Sequence, residues 1–371
     1  MRPSRGHVII PVAVISCFLF NEFLVYYLQF YFSCGWDKQS FDSGDNSSST
    51  CLQSLVLSDP HILGNRKGHF FDRLRREWQM HRSFVTADFL FQPDMVLMLG
   101  DILDEGQIAS NPEFEEYVQR FHSVFPIGMG TKSLIVVGNH DIGFHNRVLH
   151  FEPELRGRFE KAFNSSLVHV RDITHSGHKY TFVTINSMAM NGDNCSLCSA
   201  AESQIQAIGS SLSDSANRPI LLSHFPLFRA SDELCNEPDS ADAEDKVTEF
   251  REKIDCISEE SSQLLISSLK PQLVLTGHTH SGCIMRHSYE GHEVVEHTVA
   301  SFSWRNRADP TFLLLSFCPD SVYVTKCFVP NEWLVIFTYT AVSFAILVYS
   351  MYSLYSLSSH IGFDHKMLKT A

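Results

Sequence analysis

Two segments of this 371-residue chain, residues 8–32 and 333–357, are apolar over lengths that an aqueous protein rarely carries. Asn21, Glu22 and Gln29 are the only charged or amide side chains in the first, and the second has no charged residue. A helix needs about 20 residues to cross the hydrocarbon layer of a bilayer, so each segment predicts a transmembrane helix. The first run exceeds the apolar stretch of a cleaved signal sequence, and no small-residue cleavage site follows it. Arg2 and Arg5 precede the first span, and Lys366 and Lys369 follow the second. Basic flanks favour the cytosolic side, so residues 1–7 and 358–371 read as cytosolic tails and the segment between the spans as lumenal.

The interior agrees with that placement. Nine of the ten cysteines lie between the spans, and the odd number leaves at least one thiol unpaired. Cys195 and Cys198 form a C-x-x-C without the second pair a zinc site would want, so they read as disulfide partners. Three N-x-S/T sequons, at Asn46, Asn164 and Asn194, are candidate glycosylation sites. A net charge of −13 argues against a nucleic-acid partner, whose binders need a basic face.

Residues 33–50 are Ser- and Asp-rich and read as a linker. Residues 51–328 then alternate short apolar runs with helical patterns, the mark of an α/β domain. Strands are expected at 52–57, 95–99, 134–137, 180–185, 220–222, 273–275, 293–299, 312–317 and 322–327. Helices are expected at 69–91, 113–125, 199–212 and 259–269. The closing run of strands suggests a sheet completed by a meander. Residues 230–246, crowded with Asp and Glu, read as a solvated insertion loop.

The chemistry sits at strand ends. Asp59-Pro-His61, Gly100-Asp101, Gly138-Asn139-His140-Asp141, His224 and Gly277-His278-Thr279-His280 each follow an apolar strand directly. In layered α/β folds ligands bind beyond the carboxyl ends of strands, so the five blocks should converge. Asp, Asn and His offer oxygen and imidazole nitrogen without thiolate, which suits Mn²⁺, Fe or Zn²⁺. Seven potential ligands are too many for one ion and suit two, bridged by a carboxylate.

Together, in this order, the blocks resemble the calcineurin-like metallophosphoesterase superfamily. The resemblance implies a layered β-sandwich flanked by helices, here with a transmembrane helix at each end. It implies two divalent metal ions, Mn²⁺ being the first expectation. Asp59, His61 and His280 would hold the first ion and Asn139, His224 and His278 the second, with Asp101 bridging them. His140 would meet the leaving group, oriented by Asp141. His145 reads as a neighbour of the same turn.

Further blocks, DRLRREWQM, GDILDEG, GNHDIGFH, SGHTHSGC and SFSWRNR, resemble one membrane-anchored branch. These are the phosphodiesterases of glycosylphosphatidylinositol (GPI) remodelling, relatives of post-GPI-attachment-to-proteins factor five and the yeast Cdc-one protein. That resemblance implies removal of an ethanolamine-phosphate side branch from the second mannose of the anchor, with GPI-anchored proteins as substrates and ER-to-Golgi transport as the process served. It places the chain in endoplasmic-reticulum exit sites, the ER–Golgi intermediate compartment and the cis-Golgi. Trp304, Arg305 and Arg307 become candidate substrate contacts. Lys366 and Lys369 become a coat-protein retrieval signal, although their spacing departs from the strict dilysine form. Two alternatives stay open: a lumenal phosphoesterase for nucleotides or lipid head groups, and a non-catalytic sorting protein for GPI-linked cargo.

Overall fold

A computed structural model describes residues 6–37, 51–146, 153–193, 195–212 and 218–367. Asn46, Asn194 and Lys369 lie outside them. Two sheets carry the fold. The first has the order β11-β10-β1-β2-β3 and the second β4-β5-β6-β7-β9-β8. In the first, β1 (Leu52–Leu57), β2 (Met95–Met98) and β3 (Lys132–Ile135) run parallel, and β10 (Thr311–Phe317) and β11 (Val322–Phe328) extend the sheet antiparallel. In the second, β5 (His178–Ile185), β6 (Ile220–Leu222) and β7 (Leu273–Thr276) run parallel, edged by β4 (Val168–His175) and by the hairpin of β8 (Cys283–Tyr289) and β9 (His292–Thr298). The closing strands therefore divide between the two sheets instead of completing one.

Strand alternation explains the layering. Val56, Leu97 and Leu315 of the first sheet meet Phe182, Leu222 and Leu275 of the second in one apolar cluster. Their neighbours Leu55, Val96 and Leu314, with Val183, Leu221 and Val274, point the other way into a second cluster covered by helices. Strands buried on both faces must be apolar throughout, as β2 and β7 are. On the helical side lie α3 (Phe70–Phe91), α4 (Asn111–Val124), α6 (Pro153–Phe163), α7 (Ser196–Leu212) and α8 (Glu259–Leu269). The one-turn α5 (Asn139–Ile142) follows β3. Helix α4 starts where Ser110 and Glu113 form a capping box with Pro112 in the first turn.

The terminal apolar segments are helical. The first comprises α1 (Gly6–Leu19), a π-helical turn (Phe20–Leu24) and α2 (Val25–Ser33). The second is the start of α9 (Glu332–Met367). The stretches Val8–Ser33 and Glu332–Tyr355 are long and apolar enough to cross a membrane. They touch each other through polar groups at the π turn. Thr338 Oγ1 donates to Asn21 Oδ1 at 2.6 Å, Asn21 Nδ2 donates to the Cys17 carbonyl at 3.0 Å, and the Tyr339 hydroxyl donates to Glu22. Interhelical hydrogen bonds of this kind join helices where no hydrophobic drive between them exists. Beyond the π turn the first helix enters the domain: Val25, Tyr26 and Phe30 are buried in the same cluster as Phe84 and Phe312. Cys34 then bonds to Cys327 of β11. Three more disulfides, Cys51–Cys318, Cys195–Cys198 and Cys235–Cys283, leave Cys256 as the unpaired thiol between the helices.

Candidate metal centre

The loops after β1, β2, β3, β6 and β7 leave the carboxyl ends of parallel strands and meet at one edge of the sandwich. The turns are tight enough to force unusual backbone. Asp59, His61, Asp101, His278 and His280 all have positive φ, between 47° and 73°. Left-handed backbone is uncommon away from glycine, and five such residues within one cluster mark a site where conformation serves side-chain aim. Close approach explains two of the glycines. A Cβ on Gly138 would lie 2.1 Å from Asp101 Oδ1, and one on Gly277 would lie 1.9 Å from Ser58 Oγ.

Two donor groups result. Asp59, His61, Asp101 and His280 bring one ligand atom each to a common point, and Asp101, His224 and His278 bring theirs to another. Asp101 belongs to both. Asn139 Oδ1 stands 3.2 Å from His224 Nε2, so it joins the second group. The tautomers are set from behind: His224 Nδ1 faces the Leu99 carbonyl at 2.7 Å, and His278 Nε2 faces the Ile254 carbonyl at 2.8 Å. His224 therefore presents Nε2 to the centre and His278 presents Nδ1.

This donor set fits a pair of cations. Asp59 Oδ1 and His278 Nδ1 are buried without a hydrogen-bond partner. His61 Nε2 and His280 Nε2 lie 3.1 Å apart, a distance that two lone pairs tolerate only with a proton or cation between them. Charge is also unbalanced. Burial raises the pKa of Asp59, and the Asp101 carboxylate raises it further. Burial pushes His278 down to about 3, helped by its neighbour His224. His224 goes the other way: burial opposes its charge, but the carboxylates of Asp101 and Asp59 hold it up at about 9. Asp59, raised by burial and with Oδ1 unpartnered, is the carboxylate that a bound cation would relieve.

His140 sits beside both groups. Its backbone N–H donates to Asp101 Oδ1 at 2.8 Å, and its ring lies edge-on to His61 with centroids 4.7 Å apart. Its orientation comes from a residue the sequence reading overlooked. Nδ1 of His140 faces the Asp104 carbonyl at 2.9 Å, while Asp104 Oδ1 is 3.6 Å from that nitrogen and 3.2 Å from His61 Nδ1. Asp141 does not orient His140. Its two carboxylate oxygens accept from the N–H groups of Leu103 and Gly138, each at 2.8 Å, and so clamp the two loops together. Burial, with Asp101 close by, raises its pKa to about 7.

The SFSWRNR loop divides its three candidates. Arg305 reaches the site, half-exposed, with its guanidinium 3.7 Å from Asp104 Oδ2. Trp304 does not: it is buried, its backbone N–H donates to Gln79, and its indole N–H donates to the Pro330 carbonyl at 3.0 Å. A buried indole satisfied in this way cannot stack on a sugar in the site. Arg307 is likewise committed, to Asp309 and to the carbonyls of Asp239 and His280, so it braces the His280 loop. The acidic stretch 230–246 is not wholly solvated. Asp232 is buried against Arg229, and Asp239 is buried against Thr311 and Lys326. His145 bonds the Met188 carbonyl and Asp193, away from these ligands. Asn164 is exposed at the end of α6.

Comparison with known proteins follows the geometry. Residues 52–282 match the family described as Calcineurin-like phosphoesterase. Metallophosphoesterase 1 of Cricetulus griseus is 38% identical over 376 residues, covering 97% of this chain and 93% of that one. Metallophosphoesterase 1 of Gallus gallus is 40% identical over 356 residues, covering 90% and 87%. Among solved structures, a dimetal phosphatase from Danio rerio is similar over 76% of this chain and 98% of its own, at 12% identity and a TM-score of 0.49.

Proposed function

This chain belongs to the calcineurin-like phosphoesterase family and is a metal-dependent phosphoester hydrolase, and on that premise we propose that it removes the ethanolamine-phosphate branch from the second mannose of GPI anchors. One observation carries the reading most: the two donor groups share Asp101 at the carboxyl edge of a domain into whose core the first membrane-length helix runs. Such a site acts on a phosphodiester close to a bilayer. The sequence blocks that resemble the GPI-remodelling branch select the GPI glycan among such substrates. Four disulfides support an oxidising compartment, which is where the glycan of a GPI anchor lies.

The protein's own groups divide the work. Asp59, His61 and His280 on one side and Asn139, His224 and His278 on the other, with Asp101 between, would hold two divalent ions, Mn²⁺ being the expected metal. Such ions polarise phosphoryl oxygens and lower the pKa of water. With its Nδ1 turned to the Asp104 carbonyl, His140 has Nε2 left to give a proton to the leaving oxygen. The Arg305 guanidinium offers a further cation to a phosphoryl oxygen. The tail lysines, Lys366 and Lys369, would return the enzyme to the early secretory pathway.

The test is mass spectrometry of GPI glycans from cells lacking the protein, beside wild-type and Asp101→Ala rescue lines. Anchors that keep an extra ethanolamine phosphate on the second mannose, cleared by the wild type alone, are expected. Unchanged glycans would remove the GPI assignment.

A further inference from the structure

Beside the SFSWRNR loop lies a groove of about 640 Å³ that the reaction chemistry does not use. Phe18 of α1, Leu74 and Trp78 of α3, and Ile336 and Thr340 of α9 line it, and the buried Trp304 closes its inner wall. Two of its three helical walls thus come from the helices long and apolar enough to cross a membrane. The third wall behaves like membrane-facing surface too. Phe70, Phe71 and Leu74 on the first turns of α3 are 60%, 70% and 56% exposed. Large apolar side chains set outward here, with Phe71 and Leu74 beside Phe18 in the groove, would be costly in water and favourable in hydrocarbon. Of the two charged groups in the lining, Glu22 accepts from Tyr339, and Arg75 lies 5.2 Å over the Trp304 ring and 3.2 Å from Glu332. Trp304 is the wall of the groove, and the next residue, Arg305, is at the metal centre.

We propose that this groove holds one acyl chain of the diacyl lipid to which the substrate phosphodiester is linked. The inference rests on the reading of the substrate as membrane-linked, and it adds how that substrate is held. The groove is continuous with the lipid-facing surface of both helices, so a chain enters it sideways from the bilayer without crossing water. Arg75, 40% exposed and shared with Glu332, is the cation in the lining that a phosphate at the chain's head would meet. The linked glycan then runs past Trp304 toward Arg305.

The test uses the full-length protein in phosphatidylcholine vesicles that contain a small fraction of phosphatidylinositol with a diazirine on one acyl chain. After irradiation the labelled peptides are identified by mass spectrometry. Label is expected to concentrate on the peptides bearing Leu74 and residues 336–340. It should fall at least about tenfold, equivalent to about 1.4 kcal/mol, when Thr340→Trp or Leu74→Trp fills the groove. Label spread over outward residues such as Val12, Ile15 and Leu347, unchanged by either variant, is annular lipid only and overturns the proposal. Leu74 is exposed, so Leu74→Trp decides the matter should Thr340→Trp fail to fold. Asp101→Ala should label like the wild type. A protein that labels in the groove yet leaves GPI glycans untouched sinks the assigned substrate and not the groove, and an active protein without groove label sinks the groove alone.

Discussion

His140 turns its Nδ1 to the main-chain carbonyl of Asp104 at 2.9 Å, and the carboxylate of that same aspartate stands 3.2 Å from Nδ1 of His61. One residue therefore stands behind two imidazoles, which on the proposed mechanism would face the leaving group and the metal. Asp104→Asn keeps the carbonyl and removes the charge. Metal affinity and turnover of a simple phosphodiester should fall by about 10- to 100-fold, with partial recovery at raised metal concentration. Wild-type metal affinity in the variant, measured by calorimetric titration, would contradict the role.

Removing Asp101 or His140 separates binding from chemistry. Asp101→Ala should abolish both turnover and the rise in melting temperature that metal gives the wild type, a gain of about 2.7 kcal/mol at one hundred times the dissociation constant. His140→Ala should keep the metal-dependent rise and lose about 10²- to 10⁴-fold in turnover. Chelation of the wild-type protein should reproduce the Asp101→Ala result in both assays.

Acid stability has a surface contribution with a defined sign. Hydrogen bonds from Arg66, then from Ser110, lower the pKa of Glu113 to about 2, below its ordinary value near 4.5. A depressed carboxylate stabilises the fold above the ordinary value and loses that contribution as pH falls from there through the folded pKa. Glu113→Ala should therefore melt below the wild type at pH 7, and the gap should close toward pH 2. A gap that stays constant over that range would show that the cap, and not the charge, matters.

Cys34 and Cys327 join the end of the first helix to the last strand across 293 residues of sequence. Replacing either with Ser should cost about 2–5 kcal/mol of stability, read as a lowered denaturation midpoint in detergent. An unchanged midpoint would mean that packing of Tyr26 and Phe30 alone secures that helix.

Three of the strands that lead to the metal centre, β1, β2 and β7, were legible because both of their faces are buried: LVLSD, VLMLGD and LVLTGH announce themselves as apolar runs ending in ligands. Strands β4 and β8 were not. VHVRDITH and CIMRHSY sit at a sheet edge with polar side chains outward, so no run of apolar residues marks them. The seven ligands could be read as a set because chemistry restricts their residue types. Asp104 escaped notice because one aspartate inside GDILDEG has no signature until the fold sets it behind His61. Trp304 misled for the opposite reason: Trp beside Arg looks like a sugar site, and only packing reveals that its indole is already satisfied by Pro330.

The first helix is one continuous rod with two kinds of surroundings. Up to the π turn its side chains such as Val12 and Ile15 face outward, and any substitution that preserves hydropathy should pass. From Val25 onward one face of the same helix, Val25, Tyr26 and Phe30, packs into the core of a globular protein, where one added or missing methylene is felt, while Tyr31 and Phe32 stay exposed. A map of tolerated substitutions along residues 8–33 should change character within one turn, from a rule about composition to a rule about shape. A catalytic fragment expressed without this helix would therefore begin life with a slot in its core.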